Sequence, residues 1–102
     1  MKVYNKLVRD NIPNIIKSNK QNCSTRILND DEYVVELNKK LVEEVNEYLQ
    51  SGELEELADI EEVILALVKA KGFSYNQFEE IRKSKASIRG GFGKKIFLIN
   101  AD

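Results

Sequence analysis

Two stretches of apolar residues at helical spacing, separated by little more than Ser51-Gly52, constrain this chain more than any other feature. In the first, Val34, Leu37, Leu41, Val45 and Tyr48 recur at steps of three and four. In the second, Leu57, Ile60, Val63, Ile64, Leu67 and Val68 give a broader face. That recurrence marks helices with one buried side, and both runs are too long for strands. So short a connection leaves the two helices nowhere to pack except against each other, as an antiparallel hairpin. The expected bounds are about Asp31 to Gln50, and Glu53 or Leu54 to Lys71. Asn29 with Glu32 three residues on predicts a capping box at the first start. Lys69, Lys71 and Gly72 suit the end of the second helix.

The flanks are less regular. Asn11–Asn19, with Pro13 in a first turn, predicts a short helix. Ser74-x-x-Gln77 predicts another capping box, opening a helix to about Ser87. Val3–Val8, Thr25–Leu28 and Lys95–Ile99 are too short for helices and read as strands. Arg89-Gly90-Gly91-Phe92-Gly93 reads as a turn. With no linker, repeat or low-complexity segment, residues 1–102 form one domain. The expected fold is mostly α: a helical bundle around an antiparallel hairpin of two long helices, with possible short terminal strands. Two long helices cannot cover both of their apolar faces alone, so oligomerisation is expected to complete the bundle.

Composition narrows the chemistry. There is no histidine, which removes Ser-His-Asp and Cys-His nucleophile systems and any His-based metal site. Cys23 is the sole cysteine, so there is no internal disulfide or Cys-rich zinc site, and its polar surroundings suit an incidental thiol. No apolar run approaches the roughly 20 residues of a membrane span. The opening MKVYNKLVRD is polar where a secretory signal needs an apolar core, so a cytoplasmic protein without membrane contact is expected. Catalysis in such a chain rests on carboxylates, lysines, arginines, hydroxyls and a metal ion.

Charge is distributed unevenly. Nine of the 17 acids lie between Glu43 and Glu62, and no Lys or Arg occurs from Leu41 to Val68. The bases gather toward the two ends. That distribution argues against a nucleic-acid partner, which calls for a basic face. Glu44 and Glu47 are neighbours on one helix surface at i, i+3, and so are Glu56 and Asp59 on the next. On the helical wheel Glu44 flanks the apolar stripe, while Glu43 points roughly the other way and Glu61 falls inside the apolar arc of the second helix. Four converging carboxylates repel one another unless protons or cations compensate, and hard divalent cations take oxygen ligands. The residues alone leave two readings open: a solvated acidic face, or a site for one or two ions.

The pattern Glu43-Glu44-x-x-Glu47 followed by Glu56-x-x-Asp59, set in KLVEEVNEYL and EELADIEEVILAL, resembles the MazG-like all-α nucleoside triphosphate pyrophosphohydrolase superfamily. The opening YNKLVRDNIPNII and closing RGGFGKKIFLI resemble its phosphoribosyl-ATP pyrophosphohydrolase-like branch. The resemblance implies Mg²⁺-dependent hydrolysis between the α and β phosphates, giving monophosphate and pyrophosphate, with Mn²⁺ as a possible substitute. It implies Glu44, Glu47, Glu56 and Asp59 as metal ligands and Glu43 as an acid that orients water or a second ion. It also implies a nucleoside triphosphate or phosphoribosyl-nucleotide as substrate, and a homodimer or homotetramer. A triphosphate brings about four negative charges, so cations must help. Lys6 and Arg9, and Arg89, Lys94 and Lys95 around the glycine turn, are the candidates for phosphate contact. The bland reading pairs Arg9 with Asp10 or with the acidic helices. The competing functional class is a helical binding module that keeps the acids but sequesters a nucleotide or docks a protein.

Overall fold

Four helices account for all the regular structure in the computed structural model, which describes residues 1–102. They are α1 (Ile12–Ser18), α2 (Asp30–Ser51), α3 (Leu54–Ala70) and α4 (Tyr75–Arg89). The expected α-helical architecture with a long helix pair is present. No helix is long and apolar enough to cross a membrane.

Local chemistry sets the helix starts. Asn29 Oδ1 accepts from the Glu32 N–H at 2.9 Å, and the Asn29 N–H donates to Glu32 Oε1 at 3.2 Å. Three acids, Asp30, Asp31 and Glu32, occupy the first turn of α2, where the helix dipole favours negative charge. Ser74 and Gln77 form the same reciprocal box at α4, at 3.1 and 2.8 Å. Gly52 ends α2 in the left-handed region (φ 67°), and its N–H donates to the Tyr48 carbonyl. A side chain there would be strained, which is why the bend falls at this residue.

The hairpin is antiparallel. Leu37, near the start of α2, packs with Val63 and Leu67 in the later half of α3. These three are the only buried apolar side chains in the molecule, with Leu37 at 3% exposure. Leu7, Tyr33, Leu41 and Ala66 pack around them half-buried. Leu7 carries the N-terminal segment onto the hairpin. Among the helices, α2 touches only α3, α4 touches only α3, and α1 touches none.

Several expectations need correction. Val3–Val8, Thr25–Leu28 and Lys95–Ile99 form no strands. A strand exists only through the ladder of a second strand, and none of these segments has a partner strand. Ile96, Phe97, Leu98 and Ile99 are all exposed instead. Phe73 is exposed, whereas Tyr33, Tyr48 and Phe78 are half-buried. Leu57 is also exposed, and so is Glu61 within the apolar arc of α3.

Candidate metal site

The carboxylates of α2 and α3 converge because the antiparallel packing sets the middle of α2 against the first half of α3. Carboxylate oxygens of Glu44, Glu56 and Asp59 lie within 4.8 Å of one another. So do those of Glu43, Glu44 and Glu47. Glu44 belongs to both groups and is their common vertex. It is 7% exposed, Glu43, Glu56 and Asp59 are half-buried, and Glu47 is exposed.

Glu44 is the anomalous member. Its Oε1 is 3.3 Å from Lys40 Nζ, while its Oε2 is buried with no hydrogen-bond partner. Burial pushes the Glu44 carboxyl above its ordinary range, and the neighbouring Glu47 carboxylate pushes it further, while Lys40 opposes both. An anionic oxygen removed from water without a donor is costly. The orphaned oxygen belongs to the residue that the two carboxylate groups share, and a cation bound to it would satisfy it. All the candidate ligands are oxygens, which suits a hard divalent ion of the Mg²⁺ or Mn²⁺ kind.

The acids have more cationic company than the central block suggests. Lys6 Nζ donates to Glu43 Oε1 at 3.1 Å, and Lys40 Nζ stands 3.5 Å from Glu43 Oε2. The Lys6 hydrogen bond holds the Glu43 carboxyl below its usual range, and Glu43 raises Lys6 in return. Arg9 donates to Asp59 Oδ1 at 2.7 Å. Arg9 therefore pairs with the acidic helices rather than with Asp10. Lys6 and Arg9 come from the N-terminal segment, so their neutralising role is a matter of folding, whereas Lys40 lies one helical turn before Glu43 and Glu44.

Glu44, Glu56 and Asp59 come together across the hairpin, and Glu47 joins through Glu44. Glu43 also joins, although its backbone position points away from the stripe, because its long side chain turns toward Lys6 and Lys40. Lys6 and Arg9 reach the cluster. Arg89 and Lys94 do not pair with any acid; both are exposed, and Arg89 lines a shallow groove along α4 with Ile81 and Ile88. Lys40 was not among the residues singled out, yet its i, i+3 and i, i+4 spacing to Glu43 and Glu44 is the signal that identifies it. Cys23 is a half-buried free thiol away from these ion pairs.

No family model matches the chain, and neither does any curated protein or solved structure.

Proposed function

We propose that this chain is a divalent-cation-dependent nucleotide pyrophosphohydrolase, acting on a nucleoside triphosphate or phosphoribosyl-nucleotide between the α and β phosphates. The observation that carries the reading is Glu44 Oε2, buried and unpartnered on the residue common to both carboxylate groups. The likeness of the acid pattern to the MazG-like superfamily supports it. Glu44, Glu47, Glu56 and Asp59 would hold Mg²⁺, with Mn²⁺ as a substitute. A divalent cation so held would polarise phosphate oxygens and lower the pKa of a bound water.

The chain's own residues divide the remaining work. Glu43, kept ionised by Lys6, is an acceptor beside the cluster that can orient a water molecule. Arg9 and Lys6 offset the substrate's charge, Arg9 by a planar fork that fits a phosphate in two bonds. Arg89 and Lys94 contribute only where the α4 end of the chain, or that of a second copy, is carried to the acids. The products are a nucleoside monophosphate and pyrophosphate. The protein is read as cytoplasmic.

A second reading has its own observation. Lys6, Lys40 and Arg9 already pair with Glu43, Glu44 and Asp59, as expected of a binding module whose acids serve structure. A panel of canonical and modified triphosphates with Mg²⁺, with pyrophosphate and orthophosphate assayed separately, separates the two. Pyrophosphate release that Glu44→Gln abolishes supports the enzyme. Orthophosphate alone overturns the cleavage site, and tight nucleotide or protein binding without turnover favours the module.

A further inference from the structure

Residues 81–101 differ in charge from everything before them. They carry six bases, Arg82, Lys83, Lys85, Arg89, Lys94 and Lys95, and all 17 acids of the chain lie outside them. Every residue of the stretch is exposed. Of its six bases only Arg82 is paired, with Glu79. The cations that attend the acid cluster, Lys6, Arg9 and Lys40, come from elsewhere. The remaining five have no counter-charge within the molecule.

Apolar side chains are set among these bases. Ile81 and Ile88 share a shallow groove of α4 with Lys85 and Arg89. Beyond the helix, Phe92, Ile96, Phe97, Leu98 and Ile99 are 75–97% exposed. The Lys95 N–H donates to the Phe92 carbonyl at 3.1 Å, a turn that holds Phe92 near the start of the Ile96–Ile99 run. No later residue makes a backbone hydrogen bond. The fold thus leaves four consecutive large apolar side chains in water beside two unpaired lysines, and that exposure is unfavourable.

We infer that this C-terminal stretch is a peripheral docking site for a bilayer that carries anionic lipid headgroups. Unpaired bases call for an anionic partner, and the apolar run calls for one with an apolar layer just beneath its charges. A bilayer offers both, and stable attachment needs two such signals together. A nucleic acid offers the charge without the apolar layer. A protein sheet edge takes a strand whose side chains alternate between two faces, so it would leave half of Ile96–Ile99 in water. At headgroup depth the lysines reach phosphate oxygens while water still serves the open backbone. No spanning helix or secretory signal is needed for a contact of this kind, so the lack of a spanning helix does not oppose it. The rest of the chain has ten bases against 17 acids, so the same surface repels it and leaves the acid cluster facing solvent.

Co-sedimentation of the full chain with vesicles tests this. Phosphatidylcholine vesicles containing roughly a quarter phosphatidylserine should carry the parent down, and phosphatidylcholine alone should not. Lys85→Gln with Lys95→Gln should weaken that binding about 30-fold. Lys17→Gln with Lys20→Gln, exposed bases outside the stretch, should bind like the parent. The chain has no tryptophan, so Phe97→Trp reports insertion directly. Its emission should shift to the blue on the anionic vesicles, and that of Ile27→Trp, also exposed, should not. All these positions lie on the surface, so helical circular dichroism should be unchanged throughout. A parent left in the supernatant, equal binding to uncharged vesicles, equal losses in the two double variants, an unshifted Phe97→Trp, or capture of an oligonucleotide in place of vesicles would overturn the proposal.

Discussion

At Glu44 the two carboxylate oxygens have different fates: one faces Lys40 at 3.3 Å, and the other is buried with no donor. Removing the charge while keeping the shape relieves that cost, so metal-free Glu44→Gln should be more stable than the parent by about 1 kcal/mol. The same substitution removes the common vertex of the site. Mg²⁺ at about a hundred times its dissociation constant should stabilise the parent by about 2.7 kcal/mol and the variant far less. Chemical denaturation with and without Mg²⁺ reads both effects, and equal responses to Mg²⁺ would leave only a solvated acidic face. Arg9 gives a second test of opposite sign. Its guanidinium occupies an oxygen of Asp59 that an ion would need, so Arg9→Gln should tighten Mn²⁺ binding while weakening binding of a triphosphate. The pair is largely exposed, so stability should change by less than about 1 kcal/mol. Calorimetric titration with each ligand separates the two effects.

The helices show which parts of the fold were legible in the sequence. Starts were legible because a capping box is local: Asn29 with Glu32, and Ser74 with Gln77, need only four residues to form. The bend at Gly52 was legible for the same reason. The strands were misread because pairing is not local, and Lys95–Ile99 has the composition of a strand without a partner. The carboxylate groups were legible from i, i+3 spacing, and the Lys40 pairs follow the same rule, but the Lys6 contact that holds Glu43 comes from the N-terminal segment, which a helical wheel ignores. The α2 start also carries a pH signature. Arg26 holds the Glu32 carboxyl below its usual 4.5, chiefly by its side-chain hydrogen bond and then through the backbone N–H of Asn29. The folded chain thus binds this proton less tightly than the unfolded one. Its stabilising contribution is complete above the ordinary carboxylate range and fades as pH falls through the lowered value. Glu32→Gln should flatten the fall in stability as pH drops below the ordinary carboxylate range, and Asn29→Ala should cost about 1 kcal/mol at neutral pH. Urea midpoints across that range check both. Deeper in the hairpin, Leu37→Ala should cost about 2–3 kcal/mol, the low end for a buried leucine, because its half-exposed neighbours can settle into the space.

For the whole molecule, the decisive quantities are its radius of gyration of 18.0 Å and its extents of 60 × 32 × 24 Å. A compact chain of this length has a radius of about 13 Å. Four buried residues out of 102 give a core too small to hold such a shape by itself, since stability is a narrow surplus over a large entropy cost. Leu57 was expected inside and is outside, so the chain by itself leaves that part of α3 without covering helices. If a second copy supplies them, folding and association are one equilibrium, and apparent stability must follow the concentration of chains. The thermal midpoint should therefore rise by several degrees over a roughly hundredfold increase in protein concentration. Val42 on α2 is 60% exposed, and Val42→Glu should lower the midpoint and abolish that concentration dependence together. Calorimetric or circular dichroism melts across the series provide the measurement. A parent midpoint independent of concentration would mean that the three-residue core folds the chain unaided, and the exposed apolar residues of the hairpin would then have no part in its stability.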